Sequence, residues 1–173
     1  MLRHAVFIAA VVIVALAIAI PVSSQTIPSS RVGQFWGTFV HWVEFGPGLT
    51  FPAVVTLNID GTFTVAGATA AGIHGVWEIT GLRTARFTGL LQNFDNAGNL
   101  IALERHRCGF EYSADFNSYT GTEFAETATC PTPLTCPNPL DPATKWTPTP
   151  WAPPTGLSVH GARLQVVAPG SLK

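Results

Sequence analysis

Charge is what this chain has least of. Only 11% of its 173 residues are Asp, Glu, Lys or Arg, and no Lys/Arg cluster stands out. That argues against nucleic acid and anionic lipid surfaces as partners, because both are held through dense positive patches. No Gly-x-Ser-x-Gly, phosphate loop or His-Glu-x-x-His follows residue 24, so hydrolase, nucleotide-dependent and zinc-protease chemistry have no foothold. The only close His/Cys pair is His106 with Cys108, on one strand, which is poor metal-ligand spacing. No metal and no cofactor is expected. Beyond residue 24 no segment shows the 3.6-residue period of a helix either.

The chain does hold one long apolar run, Ala5 to Ile20, after the basic start Met1-Leu2-Arg3-His4 and before Pro21 and the small residues Val22-Ser23-Ser24. This is the three-part layout of a secretory signal, with cleavage predicted after Ser24. Sixteen apolar residues are short for a membrane span, so membrane contact is expected only through an uncleaved N-terminal segment. Residues 25–173 then form one extracytoplasmic domain, secreted or periplasmic. Loss of Arg3 with the leader leaves eight basic against ten acidic side chains.

The whole chain is 47% hydrophobic in composition and rich in glycine, with 16. The stretch His74-Gly75-Val76-Trp77-Glu78-Ile79-Thr80-Gly81 is a glycine-bracketed strand with strand-like segments on both sides. A first long strand is predicted over Gly33–Phe45, with Phe35, Phe39, His41, Val43 and Phe45 on one face. Gly46-Pro47-Gly48 turns it. Phe51, Ala53, Val55, Leu57 and Ile59 alternate along the next strand, and Asp60-Gly61 marks a hairpin into Phe63 and Val65. Further strands fall near 84–94, 99–112, 119–129 and 157–167. In the 99–112 strand Leu100, Ala102, Glu104, His106, Cys108, Phe110 and Tyr112 share a face, and the opposite face carries more charge, so the first points inward. Residues 131–154 interrupt the pattern with nine of the 14 prolines and with Trp146 and Trp151, and cannot pair within a sheet interior. They are read as an irregular insertion that either packs on the domain or forms part of a lid or contact surface.

Eight antiparallel strands in chain order imply an all-β fold, an eight-stranded up-and-down barrel with a Pro-rich excursion before the last strand. Closure removes the exposed edges of an open meander; a β-sandwich is the alternative. In an oxidising compartment three cysteines leave one unpaired. Cys130 and Cys136 bracket a short Pro-rich loop and are the preferred pair, with Cys108–Cys130 the alternative.

Glu104 and His106, two apart on the inward face, are the candidate acid/base pair, since a carboxylate beside an imidazole in an apolar lumen has shifted proton affinities. Glu123, in the neighbouring seventh strand, shares a face with Tyr119 and Ala125. A ligand in the lumen is expected to meet Phe39, His41, Phe51, Val55, Phe63, Glu104, His106 and Phe110. The competing structural reading makes the polar members hydrated rim groups, His41 a satisfied buried histidine, and His74 a turn cap.

Asp60-Gly61, the His74–Trp77 run with Thr80-Gly81, the Phe94-Asp95…Gly98-Asn99 turn and Val159-x-Gly161-x-Arg163 together resemble a family of exported bacterial proteins with lipocalin-like, calycin-type barrels. Most members have no assigned activity, so the resemblance implies a fold first. It also implies that a first-strand tryptophan packs on an arginine near the last strand; the nearest match is Trp36 with Arg163, with Gly33 three residues before the tryptophan. Three functions follow as expectations. The first is a barrel binding a small hydrophobic molecule in its lumen. The second is an isomerase or cyclase resembling the calycin-like allene oxide cyclases and using Glu104 and His106. The third is a structural or interaction role in the cell envelope, favoured by a filled lumen.

Overall fold

The computed structural model describes residues 29–67, 72–132 and 135–165. The predicted leader 1–24 and the predicted strand end at 166–167 lie outside the described residues. Within them the alternating segments fold as seven long strands: β1 Gly37–Gly46, β2 Leu49–Leu57, β3 Thr62–Ala66, β4 Ile73–Ile79, β5 Thr84–Phe94, β6 Leu100–Tyr112 and β7 Ser118–Thr129. A two-residue β8 (Thr147–Pro148) and β9 (Leu157–Arg163) complete the sheet, and a single helix α1 (Ser29–Phe35) precedes it. Each strand pairs antiparallel with the next through β7, β7 pairs with β9, and β9 returns to β1. The eight long strands therefore close into a barrel, and β8 adds a short rung to the upper edge of β7 at Glu126 and Thr127.

The predicted first strand needs one correction. Gly33 to Phe35 belong to α1, and β1 starts at Gly37. Phe35 and Phe39 are four residues apart, a spacing that puts two side chains on one side of either a strand or a helix, so alternation could not separate the two. The helix end lies across one mouth of the barrel. Phe35 is wholly buried there, with the rings of Tyr112 and Phe116 at 5.2 and 5.0 Å and its carbonyl accepting the Tyr112 hydroxyl at 2.7 Å. Phe39, Leu57, Phe63, Trp77, Phe87, Phe110 and Tyr119 continue this cluster upward. The lower half of the barrel is thus a solid aromatic plug; burying each such ring contributes roughly 2 kcal/mol.

Arg163, the last residue of β9, closes the same end, but not against Trp36. Its guanidinium lies 4.6 Å from the ring of Phe39 and donates to the carbonyls of Gln34, Trp36 and Phe116, while the Trp36 side chain is 41% exposed. A guanidinium has several donors, and the helix end and the turn before β7 leave carbonyls free, so hydrogen bonding decides where it sits. Gly37 makes room: its φ of 143° suits glycine alone, and a Cβ there would meet Arg163 Nη1.

The proline-rich excursion follows the opposite end. Cys130 and Cys136 form a disulfide, and Cys108 is free and buried; the disulfide fits an oxidising, extracytoplasmic setting. Pro137 and Pro139 lie with Cys136 beside Leu103, which is buried although it faces outward. Trp146 covers the Arg105 guanidinium at 4.3 Å, and Arg105 is paired with Glu126 at 2.7 Å. After β8 the chain crosses the upper mouth through Trp151 before entering β9.

Candidate functional site

Above the plug the lumen is open. Val43, Phe45, Phe51, Ala53, Val65, Ile73, Phe87 and Leu91 wall a cavity of about 380 Å³, and His41, Asn93, Glu104, His106 and Glu123 enter it from one side. Every one of these strand residues obeys the same inward alternation, so their direction follows from sequence spacing alone. Trp151 stands at the mouth, with its ring 6.0 Å from that of His106 and 5.6 Å from that of Phe45.

The polar side is one connected cluster drawn from four strands. His106 and Glu104 lie two apart on β6. Glu123 on β7 sits opposite Cys108, diagonal to His106, and its Oε1 is 2.6 Å from His106 Nδ1. Its other oxygen, Oε2, lies 3.3 Å from His41 Nε2. His41 Nδ1 is in turn 2.8 Å from the Tyr119 hydroxyl, and Asn93 Nδ2 donates to Glu104 Oε2 at 3.3 Å. Tyr119 reaches His41 across the intervening strand because Gly161 lies between them: a Cβ at 161 would stand 2.3 Å from the Tyr119 ring.

Proton positions follow from these partners. Burial pushes the Tyr119 hydroxyl well above its ordinary range, so it stays an O–H and donates to His41 Nδ1. His41 then presents Nε2–H to Glu123. For His106, burial disfavours the charged ring, but Glu104 and Glu123 on its two nitrogens outweigh that, and its pKa rises from 6.5 to about 9. Burial raises the Glu123 carboxyl, yet hydrogen bonds from His106 and His41 dominate and hold it down at about 2. The result is an imidazolium anchored on a buried carboxylate: His41, Glu104, His106 and Glu123 are at most 6% exposed.

One atom stands apart. Glu104 Oε1 is 2.8 Å from His106 Nε2, but off the direction in which the N–H points; Nε2 is the buried side-chain polar atom left without a hydrogen-bond partner among the described residues. The attraction at that distance is Coulombic, and the N–H itself is free for an acceptor in the cavity.

Of the residues expected to meet a ligand, His41, Phe51, Glu104 and His106 line the cavity. Phe39, Val55, Phe63 and Phe110 point inward but stand lower, inside the plug. His74 is exposed on the outer wall. Glu123, Tyr119 and Asn93 complete the cluster; Glu123 and Tyr119 were expected to share a face, Asn93 was not singled out, and nothing in the sequence told which height in the barrel each would occupy. No three His, Cys, Asp or Glu side chains among the described residues are arranged to hold a metal ion. No family model, curated protein or solved structure matches the chain.

Proposed function

We propose that this is an exported lipocalin-like barrel that binds one small, largely hydrophobic molecule in its upper lumen, with a polar head against His106 and Glu104. The observation that carries the reading is the half-filled interior. Eight strands enclose a space that side chains alone can fill, and below the cluster aromatics fill it; above, about 380 Å³ stays open. That volume lies at the small end of ligand pockets, and a mostly apolar wall with a few convergent polar groups is their usual composition. A filled lumen would have favoured an envelope contact role, and this lumen is filled only in its lower half.

The neutral dye N-phenyl-1-naphthylamine tests this. Bound beside Trp151 it should accept energy from the tryptophan and saturate at micromolar concentration. Ala53→Trp, which places an indole into the cavity wall, should abolish the signal while the fold persists. Equal dye binding by the two proteins refutes lumen binding.

A further inference from the structure

We propose that the same lumen catalyses proton transfer on a ketone, with Glu104 taking a proton from the carbon beside the carbonyl and His106 Nε2–H protonating the carbonyl oxygen. The inference rests on the binding function proposed above and assigns it a substrate class and a reaction. Its basis is the geometry of two neighbouring atoms. The Nε2–H of His106 has no acceptor among the described residues, and Glu104 Oε1 stands 2.8 Å from Nε2. A carbonyl oxygen and the adjacent carbon are separated by two bonds, the same scale. A ketone seated on Nε2 therefore brings its α C–H to Glu104.

The other contacts fit this division of labour. Glu123 on Nδ1 fixes the ring's orientation and keeps the imidazole protonated, with His41 and Tyr119 holding Glu123 in place; these are positioning residues. Asn93 restrains the second oxygen of Glu104. The apolar wall receives the rest of the substrate and keeps water out, which strengthens a donor aimed at developing oxyanion charge. Two carboxylates against the His106 cation disfavour a substrate with an anionic group, so the class is a neutral ketone.

The step balances without a cofactor. The α C–H bond breaks and an O–H bond forms on Glu104. The C–H pair becomes the C=C bond, the carbonyl π pair moves to oxygen, and that oxygen takes the Nε2 proton to give the enol. Reversal at the same carbon exchanges its hydrogen. In a β,γ-unsaturated ketone, delivery of the Glu104 proton to the γ-carbon migrates the double bond, and the enol O–H returns its proton to Nε2.

The probe is 2-tetralone in D₂O with the purified protein, followed by loss of the C1-proton NMR signal; binding is read separately from Trp151 fluorescence. Exchange should run well above the protein-free rate. In Glu104→Gln, of nearly the same shape, it should fall by roughly 10²–10⁴-fold, as for loss of a positioned base, while binding persists. His106→Gln should lower the rate with little change in KM. Glu123→Gln should move the alkaline limb of the pH–rate profile to lower pH, which a merely structural role does not do. Ala53→Trp leaves the cluster untouched and must abolish exchange as well. If wild type and Glu104→Gln bind 2-tetralone and exchange it equally, the catalytic proposal falls and the binding function stands. If 2-tetralone binds neither while N-phenyl-1-naphthylamine still binds the wild type, the ketone proposal falls and the binding function stands; if neither compound binds the wild type, both fall.

Discussion

Replacing Glu123 with glutamine keeps the shape of the side chain and removes one of the two charges that hold His106 protonated. In the native protein His106 titrates near 9 instead of 6.5. At about 1.4 kcal/mol per pH unit, its protonated form is favoured by roughly 3 kcal/mol over the unfolded chain. A raised pKa stabilises fully below 6.5 and loses that contribution as pH climbs through about 9. Seen from its partner, a Glu123 pKa lowered to about 2 stabilises above 4.5 and is lost as pH falls through 2. Both describe one ion pair, so the energy counts once. Because Glu104 shares in raising His106, Glu123→Gln should lose about half of this, roughly 1–2 kcal/mol near pH 6.5, or about 2–8 °C in Tm for a domain of this size. The deficit should shrink by pH 10, when the wild-type imidazole is neutral. Urea unfolding followed by circular dichroism from pH 5 to 10 measures it, and ¹H–¹⁵N spectra of the imidazole nitrogens give the His106 midpoint directly. That midpoint should drop by at least about one pH unit in the variant. A wild-type midpoint below 7, or a stability difference that stays constant from pH 6 to 10, refutes the assignment of an imidazolium to the lumen.

Three further outcomes are expected. Arg163→Leu removes the donors to Gln34, Trp36 and Phe116 and the contact with Phe39; it should cost about 2–4 kcal/mol in denaturant unfolding, and a loss under about 0.5 kcal/mol would show that the plug closes without it. Gly161→Ala places a methyl group against the Tyr119 ring; it should cost about 1–3 kcal/mol and disturb the His41 ring resonances, and unchanged resonances would mean that Tyr119 does not need the glycine. Replacing Cys130 and Cys136 together by serine opens a loop with a sequence separation of 6; unfolding free energy should fall by only about 2 kcal/mol, and loss of folding altogether would mean that the excursion is integral to the barrel.

The direction of almost every lumen side chain was legible in the sequence. Alternation along β6 put Glu104, His106, Cys108 and Phe110 on one face, and all four are buried. Strand number and the short-range disulfide were legible for the same reason: turn chemistry and a six-residue cysteine spacing are local. Phe35 faces inward as expected but from a helix, where helix and strand periods coincide; Ile59, expected to share the face of Leu57, lies past the end of β2 and is exposed.

Tertiary structure alone decided height and encounter. Alternation specifies which side of a sheet a residue faces, but its level along the barrel axis depends on strand tilt and on the register of every pairing in the closed ring. Phe39 and His41 are neighbours on one face of β1, yet one lies in the plug and the other in the binding cluster. The meeting of His41 with Glu123, 82 residues away, required β9 to insert between β1 and β7 with Gly161 opposite both His41 and Tyr119. That insertion is a property of closure, which no local stretch encodes. It is closure that gathers two histidines and two glutamates from three strands into one buried cluster.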